Sequence, residues 1–285
     1  VRGIVQIVHG MAEYVERYEN LAEFLTKRGI LVTGEDHLGH GKSVSEGGSF
    51  GYFCEQDPAT VVVRDVHRLK KITEEQYPQV PYIILGHSMG SFIARNYLCR
   101  YGSGIDGAVI VGTGMQSAGL IFASKAMAGI QKLFCGSKHV SHFIDKAAFG
   151  GYNKRIDSPR TSSDWLSRNT ENVDRYIADE LCGFTFTVNG FQTLFELIRR
   201  LQKQENLEKV PQNLPILMVS GAEDPVGDYG KGVHKACDSL KRAGVKNITV
   251  KLYENDRHEL LNEDDAEVAM EDIWQWICKE IPGVA

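Results

Sequence analysis

The sequence has no run of about 18 uninterrupted apolar residues, so no membrane-crossing helix is expected. Its six cysteines (Cys54, Cys99, Cys135, Cys182, Cys237 and Cys278) form no Cys-x-x-Cys pair and no metal-ligand spacing. They read as reduced packing residues of an intracellular protein, which excludes a disulfide framework. No basic run offsets the formal net charge of −5, which argues against a general nucleic-acid binder. Internal repeats and low-complexity tracts are missing as well. At 285 residues, 42% of them hydrophobic, the chain can bury one large core, with or without an insertion. The first residue is Val1, not methionine, and a strand follows almost at once, so upstream residues are expected to be missing from the sequence. With no signal peptide in view, a cytoplasmic location is expected.

Strand and helix patterns alternate through the first 114 residues. Residues 4–8 are β-branched and nearly all apolar, as a strand covered on both faces requires. A helical stripe follows over 13–28, a second strand over 30–33 and a helix over 61–77 that Pro78 closes. Residues 82–86 form a further strand, 92–98 a helix and 108–111 another strand. Such alternation predicts a parallel sheet with right-handed crossovers. From 115 to 202 the patterns are helical with no convincing strand. Alternation then resumes with strands at 215–219 and 248–252 and helices at 231–242 and 265–277. The fold class expected is α/β, a mostly parallel sheet flanked by helices. Residues 1–114 and 203–285 form its core, and residues 115–202 an inserted helical cap over the C-terminal edge of the sheet.

The chemistry centres on Gly86-His87-Ser88-Met89-Gly90, set between an apolar strand and a run of helix formers. A serine at the apex of such a turn is held in a strained conformation, and the two glycines let strand and helix approach closely. A serine hydroxyl needs a base, and the base needs an orienting group. In chain order the acid comes next. Asp224 stands just past the strand at 215–219, with Glu223 as the fallback, and His258 just past the strand at 248–252. Each residue alone has a plain structural explanation; the three in the required order, each after a strand, point to nucleophilic catalysis. Two main-chain donors are expected for the anionic intermediate, the N–H of Met89 and the N–H of Met11.

Several linked motifs then carry a resemblance. They are His9-Gly10-Met11-Ala12-Glu13 with Arg17-Tyr18, the loop 36–43, the serine pentapeptide, Ser167-Arg168-Asn169, and the Asp224 and His258 loops. Together they resemble the monoacylglycerol lipase and lysophospholipase branch of the α/β-hydrolases, over nearly the whole chain. The resemblance implies an α/β-hydrolase core, a short cap and an apolar acyl tunnel leading to Ser88. It also implies that Glu13, Arg17, His87 and Tyr176 lie near the polar end of the substrate. Ala12, Tyr14, Ser91 and Glu180 depart from the branch pattern, which bears on head-group specificity. The branch usually opens with an antiparallel hairpin, whose absence again points to a shortened sequence.

The expectation is therefore a cofactor-free serine hydrolase acting on a lipid ester through an acyl-enzyme. Short-chain carboxylesterase, thioesterase and aminopeptidase activities remain open, as does a non-catalytic binder. Gly41-Lys42-Ser43 lacks the first glycine of a phosphate loop, and the pairs His37/His40 and His139/His142 lack a matched third ligand, so neither nucleotide nor metal is expected. The cap's apolar residues, such as Leu120, Ile121, Met127, Ile130, Leu133 and Phe134, read first as core packing. The other reading is transient contact with a membrane surface, with Lys125 and Lys132 flanking that helix.

Overall fold

In a computed structural model, residues 1–284 are described. β1 (Gly3–Val8) leads through α1 (Glu19–Thr26) to β2 (Ile30–Gly34), and α2 (Pro58–Gln76) to β3 (Tyr82–His87). From there α3 (Met89–Tyr101) leads to β4 (Gly107–Val111). Then come α4 (Ala118–Cys135), α5 (His142–Phe149), α6 (Thr170–Ala178), α7 (Val188–Leu201) and α8 (Gln204–Leu207). The chain closes with β5 (Ile216–Gly221), α9 (Lys231–Arg242), β6 (Ile248–Tyr253) and α10 (Ala266–Glu280).

All six strands pair in parallel, in the order β2-β1-β3-β4-β5-β6. The order reverses between β1 and β3, so a crevice opens beyond their C-terminal ends, where ligands settle in open α/β sheets. β1 and β3 are buried along their whole length. Their alternate residues feed two cores: Ile4, Val8 and Ile84 pack with Val66, Ile93 and Tyr97 on one face, and Val5, Ile7, Ile83 and Leu85 pack with Leu21, Leu25 and Ile273 on the other. The one polar residue inside β1, Gln6, is satisfied: its Nε2 donates to Val66 O at 3.0 Å and its Oε1 accepts from Tyr82 OH at 2.6 Å.

The helix expected over 13–28 starts late. Val15–Tyr18 is a 3₁₀ turn and α1 begins at Glu19, because Glu13 folds back onto Gly10 N and Asp36 accepts the Val15 N–H. α2 starts earlier than expected, at Pro58, where a missing N–H costs no helical hydrogen bond. Between β4 and β5 lie the helices of the expected cap, α5 and α6 among them, which the pattern had not resolved. The last long one, α7, packs on α2 and α3 and so joins the layer beside the sheet.

Directly after β2, burial and the nearby charge of Asp65 push the Glu35 carboxyl up from 4.5 to about 7, and its Oε1 has no partner. An acid whose folded pKa is raised loses stability as pH climbs from the unfolded value through the folded one. Glu35→Gln is therefore expected to stabilise the protein at pH 8, on the order of 1–2 kcal/mol, and to change little at pH 4.5. Denaturant unfolding at the two pH values checks this; an equal shift at both would refute it.

Candidate active site

Ser88 caps the N-terminus of α3 with φ 54° and ψ −121°, a left-handed conformation that non-glycine residues rarely take. The flanking glycines hold it there. A Cβ on Gly86 would collide with the Gly90 carbonyl, and one on Gly90 with the Val8 and His9 carbonyls. Strand β3, helix α3 and the end of β1 thus meet backbone to backbone around the serine. Its N–H donates to Val111 O at 3.0 Å, which ties the turn to β4.

Asp224 and His258 follow β5 and β6 and are fully or almost fully buried. His258 Nδ1 donates to Asp224 Oδ2 at 3.0 Å. Ser220 Oγ donates to the same oxygen at 3.2 Å, and the Val226 N–H to Oδ1 at 2.8 Å, so the carboxylate is fixed from three sides. Glu223, the fallback acid, is exposed and makes no such contact. With Nδ1 engaged, Nε2 is the imidazole nitrogen left to accept a proton. The N–H groups of Met11 and Met89 find no acceptor among the described residues, and both residues line the same cavity as Ser88 and His258.

That cavity holds about 650 Å³. Ser88, His87, His258 and Glu13 stand at its polar end; Phe92, Ile121, Met127, Leu194, Phe195 and Ile198 make much of the remaining wall. Trp165, which the sequence reading did not single out, lines it too, with its ring 5.1 Å from that of His258. Tyr176 lines the cavity and lies under the Arg17 guanidinium, 5.0 Å from ring centroid to charge. Arg17 itself does not line it. Its donors go to Glu13 (2.9 Å), to both oxygens of Glu259 (2.7 and 2.9 Å) and to Asn172 (3.2 Å).

Glu13 is the hub of this polar end. It accepts from Gly10 N–H at 2.6 Å, Tyr18 OH at 2.7 Å and Arg17. Burial would raise its pKa, but His87, Arg17 and His9 outweigh burial and bring it well below the usual carboxylate value. His87 shows the reciprocal effect: burial would lower its pKa, and Glu13 reverses that and raises it. Its Nε2 donates to the His258 carbonyl at 3.1 Å, which joins this cluster to the histidine loop. Glu259 and Asn172 were missed by sequence reasoning; only the position of Glu259 beside His258 could have drawn attention to it.

Of the departures from the branch pattern, Tyr14 and Ser91 have local partners, whereas Ala12 has no structural explanation. Ala12 takes φ 52°, which suits a glycine better, Tyr14 OH donates to Asp179 at 2.8 Å, and Ser91 Oγ donates to the Ser88 carbonyl. The motif Ser167-Arg168-Asn169 is gathered on buried Glu263, which accepts the Ser167 hydroxyl and the N–H groups of Arg168 and Asn169. Among the described residues no cluster of three or more His, Cys, Asp or Glu side chains could hold a metal.

In the expected cap, Leu120, Phe122, Ile130, Leu133 and Phe134 of α4 and Phe143 of α5 are exposed, Leu133 and Phe134 by more than 80%. For Leu120, Ile130, Leu133 and Phe134 the core-packing expectation fails, because α4 turns only Ile121 and Ala128 fully inward. Lys125 is paired with Glu196 and so is not a free flanking cation.

Comparison with known proteins places this geometry. The chain is 28% identical to a monoglyceride lipase of Rattus norvegicus, over 92% of this chain and 77% of that one. It is also 28% identical to a monoacylglycerol lipase of Mycolicibacterium smegmatis, over 98% and 89%. A highly thermostable carboxyl esterase from Bacillus coagulans, solved in complex with glycerol, superposes with a TM-score of 0.91 at 31% identity, covering 98% of this chain and 90% of that one. The family model described as serine aminopeptidase, S33 matches residues 1–265. A parallel sheet with a serine elbow after its third strand, and a family match over nearly the full length, make this chain an α/β-hydrolase that belongs to the serine aminopeptidase, S33 family.

Proposed function

We propose that the protein is a serine ester hydrolase that cleaves fatty-acid esters with a small polar alcohol, most closely monoacylglycerol. Ser88 Oγ attacks the ester carbonyl, His258 takes its proton through Nε2, and Asp224 holds the imidazole tautomer. The N–H groups of Met11 and Met89 stabilise the tetrahedral oxyanion. The intermediate collapses as His258 protonates the departing alcohol. Water then repeats the sequence on the acyl-enzyme and releases the fatty acid.

One observation carries this reading: the serine, the histidine and two unpaired N–H groups open together onto a mainly apolar cavity of about 650 Å³ that includes a compact polar cluster. An acyl chain fits the apolar wall, and a polyol fits the end near Glu13, His87 and Tyr176. The relatives named for monoacylglycerol and the esterase solved with glycerol support the same choice. The family description names a peptidase, so the deciding experiment compares monoacylglycerols of rising chain length, p-nitrophenyl esters, acyl thioesters and amino-acid amides. Highest kcat/KM on long-chain monoacylglycerol supports the proposal; preference for an amide, or for acetate over all longer chains, sinks it.

Residues 115–202 act in this reading as a cap that brings the substrate in from a lipid surface. The number of large apolar side chains exposed on α4 and α5 supports it, since exposed apolar surface on this scale marks interaction sites. The double variant Leu133→Ser/Phe134→Ser is expected to bind phospholipid vesicles about 100-fold more weakly or worse, at about 1.5–3 kcal/mol per fully buried large apolar side chain, while hydrolysing a dispersed short-chain ester normally. Unchanged sedimentation with vesicles would remove this face from any membrane role.

A further inference from the structure

His9 directly follows β1 and precedes Met11 by two residues, and both of its ring nitrogens are engaged. The main-chain N–H of His37 donates to Nε2 at 2.9 Å. A peptide N–H can only donate, so Nε2 carries a lone pair and the proton of the neutral ring sits on Nδ1. Nδ1 lies 2.8 Å from the Gly10 carbonyl oxygen and donates to it. That oxygen belongs to the same planar unit as the N–H of Met11, so fixing one end sets the direction of the other. A hydrogen bond accepted at the oxygen also makes the amide a stronger donor. The preceding peptide is pinned as well, with Gly10 N–H held by Glu13 at 2.6 Å. Burial first, then His37 and His40, lowers the His9 pKa well below 6.5, so the lone pair persists.

We propose that His9 is a positioning residue for ester cleavage: locked in its Nδ1–H tautomer by the His37 N–H, it orients and polarises the Gly10–Met11 peptide so that the Met11 N–H meets the developing oxyanion. The proposal deepens the functional reading above and rests on it. His9 is not among the residues that line the cavity. It acts through one peptide plane, and its effect falls on the transition state in preference to the bound ester.

The experiment uses His9→Phe, which keeps a ring but no donor or acceptor, and His9→Asn, whose amide N–H can stand close to the place of Nδ1–H. Each is assayed on a long-chain ester and titrated with a trifluoromethyl ketone bearing the same acyl chain, whose serine adduct places an oxyanion in the hole. His9→Phe is expected to lower kcat about 10- to 100-fold, somewhat less than the loss of a whole donor, with KM changed by less than about threefold. Ketone affinity should fall by the same factor as kcat, and His9→Asn should recover most of both. Unchanged kcat in His9→Phe, or no recovery in His9→Asn, overturns the proposal. A tautomer measurement on the wild-type protein decides the matter even if His9→Phe does not fold: ¹⁵N NMR should show His9 protonated at Nδ1, and an Nε2–H tautomer overturns the proposal. Failure of the underlying reading is separable, because it would appear as wild-type Ser88 refusing a fluorophosphonate probe.

Discussion

Ser88→Ala is expected to lower ester turnover by about 10⁴-fold or more while the protein stays folded. The hydroxyl makes no cap hydrogen bond to α3 and has no protein partner among the described residues, so its removal orphans none of them. The side chain's contribution is then confined to bond formation with the acyl carbon. Alanine keeps the Cβ that φ 54° already strains, so thermal stability should match the wild type. Ser88→Gly removes that Cβ and is expected to be more stable by about 1 kcal/mol, equally inactive. Steady-state rates, fluorophosphonate labelling and melting curves on the three proteins check the set. Turnover near the wild-type rate in Ser88→Ala would take the nucleophile away from residue 88.

Arg17→Ala carries the largest expected effect on stability. Arg17 is about one-tenth exposed and binds two almost fully buried carboxylates, Glu13 and Glu259. Removing it leaves Glu259 without its main cation and takes one from Glu13, a loss of about 3–5 kcal/mol at neutral pH. For a chain of this size that is a fall in melting temperature of about 10 °C. The pH dependence makes the cause visible. In the wild type both carboxyls have pKa values below the ordinary 4.5. Their contribution is full above that value and is lost as pH falls through the folded values. Without Arg17, burial prevails at Glu259 and its folded value rises, while Glu13 keeps His87, so the variant loses stability as pH climbs past 4.5. The two stability curves should converge near pH 4 and part steadily towards pH 8. Parallel curves would mean that packing, not charge, gives Arg17 its importance. Activity should fall as well, because Glu259 adjoins His258 in the chain.

The difference between these two sites in sequence legibility is one of range. The elbow is written within ten consecutive residues, where strand, glycine, serine, glycine and helix each leave a local mark. The sheet is legible for a similar reason, since strands covered on both faces must be apolar throughout. The choice between Asp224 and Glu223 was not local. Both stand in one turn, and only the folded positions of Val226, Ser220 and His258 separate them. Arg17 was expected at the polar end of the substrate. It is close by, behind Tyr176, but its donors are taken by residues as far away as Glu259, 242 positions along the chain. Nothing near Arg17 in sequence could disclose such a pair. Lys125 misled in the same way, because its partner Glu196 lies on a helix distant in sequence, α7. The late start of α1 has a related cause: tertiary hydrogen bonds to Gly10 and Asp36 outcompeted a good helical pattern.

Helix α7 serves two masters. Leu194, Phe195 and Ile198 line the cavity, while Phe191, Leu197 and Leu201 are packed into the core and the Leu197 carbonyl takes the amide of Asn96. A substitution that reshapes the acyl wall from this helix therefore also strains the scaffold that aims the serine. The stretch 118–150 is less committed: Ile121, Ala128 and Ile144 belong to the core, but several of its large apolar side chains stand in open solvent. Innovation in substrate range should accordingly accumulate in that earlier stretch, with α7 as the brake on divergence.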